Sequence, residues 1–103
     1  MANKLKPVHP GEILREEFMA PLGLSMNRVA IDLRAPVTRI ADIVNGRRGV
    51  TADTALRLGR YFKNSPAFWM NLQTRYDLEI AEDKSAAEVA RYVKPLEPAV
   101  ARQ

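Results

Sequence analysis

The chain has no cysteine, one histidine and one tryptophan among its 103 residues, and each scarcity closes off a class of chemistry. Without cysteine there is no disulfide framework and no thiolate metal site. A lone histidine, His9, leaves a zinc site without enough ligands. His9 has no serine or carboxylate pair at a spacing that would make it catalytic, and no glycine-rich phosphate loop is present. His9-Pro10 reads instead as the start of a helix. No catalytic residue, metal or cofactor is therefore expected. No apolar run reaches the length of a signal peptide or a membrane span, so a soluble chain in a reducing cytoplasm, with no membrane partner, is expected. Strand alternation and internal repeats are also missing.

What is present is enough apolar residue, 47% of the chain, to build a core. Length and composition predict one domain over residues 1–94, with the proline-punctuated residues 95–103 as a flexible tail. The net charge of +4 is unevenly placed. From Ser25 to Asn64 there are eight basic and three acidic residues, a balance of +5, against eight and nine elsewhere, a balance of −1. A locally basic face of this kind suits phosphate.

The same window carries the organising pattern, SMNRVAIDLRAPVTRIADIVN. Met26, Val29, Ala30 and Leu33 fall at helical spacing, and so do Val37, Ile40, Ala41 and Val44, with Ile43 widening the second stripe. Neither segment is long enough to be a stable helix alone, so the two must share a core. Arg34-Ala35-Pro36 breaks the run, because proline disfavours helical angles in the residue before it and suits the first turn of the helix after it. The layout is that of a helix-turn-helix, whose second helix enters the major groove. Sequence-specific DNA binding is the expected function.

The flanking segments read as further helices. Residues 1–8 form a loosely held arm, and a first helix runs from His9-Pro10-Gly11-Glu12 to about Ala20, with Ile13, Leu14 and Phe18 inward. Ser25 caps the second helix, Gly46 ends the third in a left-handed conformation, and Thr51 caps a fourth over 52–62. Ser65-Pro66 opens a fifth, to about Glu82, and the capping-box pattern Ser85-Ala86-Ala87-Glu88 opens a short sixth ending near Val93.

Four ordered motifs, HPGEILREEF, LSMNRVA, VNGRRGVTADTALRLGRYF and SPAFWMNLQTRYDL, resemble the HigA (VapI-type) antitoxins of the Xre-like helix-turn-helix class. The resemblance covers roughly residues 8–80. It implies an all-α, five- to six-helix, lambda-repressor-like fold in a dimeric repressor that binds an inverted-repeat operator before its own operon. It also implies a partner, a HigB-like ribonuclease toxin that cleaves messenger RNA and that the antitoxin neutralises. Two positions depart from the family pattern: Met26 stands where glutamine is usual, and Arg34 where the turn favours glycine.

With Ile40 and Ile43 inward, the opposite side of the third helix presents Thr38, Arg39, Ala41, Asp42 and Asn45. Arg39 is suited to guanine O6 and N7, Asn45 to adenine or a phosphate, and Thr38 to a phosphate or a thymine methyl. Asp42, repelled by phosphates, either accepts from cytosine N4 or restrains Arg39, the second being the expected role, although Arg39 and Asp42 could also be an ordinary surface pair. Asn45 could equally be only a helix-ending residue, and Val37 could seal the core or touch a thymine methyl. Asn27, Arg28, Arg47 and Arg48 are the expected phosphate contacts. Trp69, Leu72 and Tyr76 on the fifth helix are the dimerisation candidates, with completion of the monomer core as the alternative for the aromatics. Two other readings stay open: a stand-alone repressor with no toxin, and a protein-interaction module whose two helices only build the core.

Overall fold

The structure, a computed structural model, describes residues 6–98. Among these there are five helices and no strand. The amino-terminal part of the expected arm, residues 1–5, and the end of the expected tail, residues 99–103, lie outside the described residues.

Helix α1 covers residues 10–22 in three consecutive stretches: α-helical Pro10–Ile13, π-helical Leu14–Met19 and α-helical Ala20–Leu22. Its cap is His9, whose Nδ1 accepts the Gly11 amide at 2.8 Å. The π stretch is marked by the Ala20 N–H donating to the Arg15 carbonyl five residues back. Such a widened turn rotates the register, and Met19 joins Leu14 in the core. Gly23 then ends the helix at φ 65°.

Helix α2 is Met26–Leu33, capped by the Ser25 hydroxyl, which accepts the Arg28 amide. Helix α3 is Val37–Val44, and α4 is Ala52–Phe62, capped by Thr51. Between α2 and α3 the backbone turns at Arg34, left-handed at φ 58° and ψ 44°, the position at which the family favours glycine. After α3, Gly46 takes the expected left-handed conformation at φ 75°.

Helix α5 corrects the sequence reading. It runs unbroken from Pro66 to Tyr92, 27 residues, so Ser85 lies inside it and opens no sixth helix. Ser65 is its cap, accepting from the Ala67 and Phe68 amides.

The core gathers one side of each helix: Leu14, Val29, Ala30, Leu33, Ile40, Ile43, Val44, Ala55, Leu58 and Trp69, with Val50 from the loop. Three members of the predicted stripes fall outside it: Met26 and Val37, 37% and 42% exposed, each of which opens its helix at the rim, and half-buried Ala41. Trp69 is the largest fully buried side chain. Its ring meets those of Phe18 and Phe68 at 5.0 and 5.1 Å, and its Nε1 donates to Asn64. Losing so large a buried ring costs about 3–5 kcal/mol in comparable cores. Gly11 sets how closely α1 meets α3, since a Cβ there would stand 1.7 Å from the Ile43 carbonyl oxygen. Only glycine fits that approach.

Candidate nucleic-acid interface

The inner side of α3 is fixed by Ile40 and Ile43, both 0% exposed. The helical period therefore turns Thr38 and Asn45 fully outward and leaves Arg39 and Asp42 half-buried at the edges of the same surface. Arg47 and Arg48 follow on an exposed loop, and Asn27 and Arg28 lie exposed in the first turn of α2. A rigid apolar back thus carries a polar and cationic front.

The ion pairs on this front differ from the expected ones. Asp42 does not hold Arg39. It accepts instead from Arg47 Nε and Nη2 at 3.2 and 3.1 Å, with Arg48 at 3.9 Å. The chain reverses after Gly46, and the Arg47 and Arg48 amides donate to the Asp42 carbonyl, which returns both arginines to the aspartate. Arg39 reaches the other way, placing Nη1 3.4 Å from Asp53 on α4. That carboxylate also takes Arg57 Nε at 2.9 Å. The Arg57 hydrogen bond, followed by the charges of Arg57 and Arg39, holds the Asp53 carboxyl below the usual carboxylate range.

Arg57 is the residue that sequence reasoning left out. Its Nη1 donates to the Leu33 carbonyl at 2.9 Å and the Arg34 carbonyl at 3.5 Å, so a cation from α4 closes the carboxyl end of α2, where the helix dipole favours positive charge. The turn between α2 and α3 is therefore held from outside. A second tie joins α2 to α4: the Tyr61 hydroxyl donates to Asp32, which also accepts from Arg28 at 2.7 Å. The Tyr61 bond first, and the Arg28 bond second, hold the Asp32 carboxyl low.

Helix α5 secures the loop that carries the two arginines. Gln73 Oε1 accepts the Val50 amide at 2.7 Å while its Nε2 donates to Asp77. Beside it, the Tyr76 ring stands edge-on to His9 at 4.8 Å. His9 itself resists protonation, because its burial outweighs the opposing pull of Asp77 and of an Arg48 backbone hydrogen bond.

Of the dimerisation candidates, Trp69 is 0% exposed within its own chain, so it belongs to the core and has no surface to offer a partner. Leu72 and Tyr76 are half-buried. Further along α5, Leu78, Ile80, Val89 and Tyr92 are exposed at 58%, 39%, 51% and 67%. Sequence reasoning did not single out Leu78 or Ile80 from the rest of that helix. Among the described residues no group of three or more His, Cys, Asp or Glu side chains could hold a metal ion, and no helix is long and apolar enough to cross a membrane.

Two short helices crossing at a braced turn, the second with an outward cationic surface, define a DNA-binding protein of the helix-turn-helix class. The chain is 50% identical over 88 residues to virulence-associated protein I of Dichelobacter nodosus, 84% of this chain and 82% of that one, and 35% identical over 94 residues to antitoxin HigA-1 of Vibrio cholerae, 90% and 87% respectively. The fold matches that of the Pseudomonas aeruginosa antitoxin HigA, solved with the higBA promoter, at a TM-score of 0.86 and 43% identity over 88% of this chain and 99% of that one. The chain belongs to the HigA family of antitoxins. No protein-family model matches it.

Proposed function

We propose that this chain is the antitoxin of a type II toxin–antitoxin pair: as a homodimer it binds an inverted-repeat operator, represses its own operon and neutralises a HigB-like mRNA-cleaving ribonuclease. The observation that carries the DNA half of this reading is the outer side of α3, where Thr38 and Arg39 stand on a back formed by the fully buried Ile40 and Ile43. Thr38, Arg39 and Asn45 meet base edges, and Asn27, Arg28, Arg47 and Arg48 meet phosphates. Asp42 contacts no DNA and instead aims the loop arginines. The toxin half is supported by membership of the HigA family.

A second copy supplies the second half-site, about one helical turn of DNA away. The apolar side chains beyond Leu72 on α5 are the proposed meeting surface. The work of the protein is binding and not catalysis, and it is done in the cytoplasm on nucleoid DNA.

The test is a mobility shift with the chain's own upstream DNA, with and without the protein encoded by the adjoining reading frame. A shift resisting competition by random DNA, together with rescue of growth when the neighbour is co-expressed, is expected. Equal retardation of both DNAs would overturn operator reading, and a neighbour that is harmless alone would leave a repressor without a toxin.

A further inference from the structure

We propose that Asp53 is a positioning residue for DNA reading, a latch that holds the Arg39 guanidinium against α4 until an operator base displaces it. The proposal rests on the assignment of Arg39 to a base edge.

Asp53 Oδ2 faces two guanidiniums. Arg57 approaches at 2.9 Å and is anchored independently by the Leu33 and Arg34 carbonyls. Arg39 approaches at 3.4 Å, long for a charge-assisted bond. Arg57 is thus built into the scaffold, and Arg39 is the partner able to leave. The Arg39 side chain is 29% exposed and that of Asp53 57%, so the contact lies at the rim of the groove-facing surface and not beneath it. A guanine offers two acceptors, O6 and N7, in the geometry of a guanidinium fork, against one long contact to Asp53. Where a base edge offers no such pair, Arg39 stays latched and its charge remains neutralised. A latched cation releases fewer counterions from random DNA, so Asp53 widens the gap between operator and random sequence without touching either.

The test compares the chain's own promoter fragment with a random duplex of equal length across a KCl series. The proteins are the wild type, Asp53→Asn, Arg39→Ala, their double variant and Arg57→Gln. Asp53→Asn is expected to tighten random-duplex binding about threefold and steepen its salt slope by about 0.9, the contribution of one freed cation. The promoter gains less, so the preference falls. In the Arg39→Ala background the same change leaves the random-duplex Kd within about 1.5-fold, because there is no cation left to free. Arg57→Gln lowers Tm by loosening the turn but leaves random-duplex binding no tighter than wild type, since Asp53 then serves Arg39 alone. Tightening by Asp53→Asn that persists without Arg39, or that Arg57→Gln reproduces, would overturn the latch. An Arg39→Ala protein that keeps its full promoter preference would instead overturn the base-reading role, and the latch with it, through a separate arm of the experiment.

Discussion

Arg34 carries a conformational cost that its surroundings absorb. A non-glycine residue in the left-handed region loses about 1–2 kcal/mol relative to glycine, and here the turn is held by the Arg34 and Ala35 amides donating to Ile31 and Ala30 carbonyls and by Arg57 from above. Arg34→Gly is therefore expected to stabilise the domain by about 1 kcal/mol, after the extra freedom of glycine in the unfolded chain is deducted. The readout is an increase of roughly 4–8 °C in Tm, and a lower Tm would show that the arginine side chain contributes contacts of its own. The caps were legible at this scale because Ser25, Thr51 and Ser65 act on amides two or three residues away. Arg57 was not, because its carbonyl acceptors lie 24 and 23 residues earlier, and no local pattern encodes that meeting. Asp42 and Asp53 show the same limit: helical spacing put Asp42 within reach of Arg39, while the fold brought a nearer carboxylate from another helix.

Among the elements, α3 was the most legible, since its buried Ile40 and Ile43 follow directly from the apolar period. Its two kinds of arginine separate experimentally. Arg39→Ala is expected to weaken promoter binding by about 1–3 kcal/mol beyond its effect on random DNA, whereas Arg47→Ala weakens both alike and lowers the salt slope by about one. Equal losses from both substitutions on both DNAs would mean that the reading role is misplaced. Helix α5 was misjudged at Ser85 because a capping box needs a preceding break to act as one. Residues 82–87, EDKSAA, contain no glycine or proline, and the two alanines favour helix strongly enough to carry it through. Nearly all side chains past Asp83 are exposed. Truncation after Asp83 is thus expected to change unfolding stability by less than about 1 kcal/mol while shifting sedimentation from dimer toward monomer. A truncated protein that still sediments as a dimer would place the dimer contact before Asp83.

As a whole the molecule is elongated, with extents of 59 × 34 × 21 Å and a radius of gyration of 18.3 Å, against about 13 Å for a compact chain of this length. Helix α5 accounts for the difference, since 27 residues at about 1.5 Å each reach roughly 40 Å. The head of the molecule is joined through His9, which caps α1 and packs on Tyr76 of α5. Because burial holds its pKa below the ordinary 6.5, the folded state binds fewer protons than the unfolded chain just below that pH. The stability it contributes is present above about pH 6.5 and is lost as pH falls through the lowered folded value. Melting at about pH 7.5 and 5.5 should show a drop in Tm that His9→Asn, which keeps a capping oxygen but cannot titrate there, reduces. An identical drop in both proteins would assign the effect to other groups.

The enclosure of Trp69 also gives the molecule a built-in optical gauge. It is the only indole in the chain, shielded from water and distant in role from the groove-facing side of α3. Its emission should stay blue-shifted and nearly constant through a titration with duplex, then move to the red only when the head melts. Fluorescence thus counts folded molecules under the same conditions in which anisotropy of a labelled duplex counts bound ones.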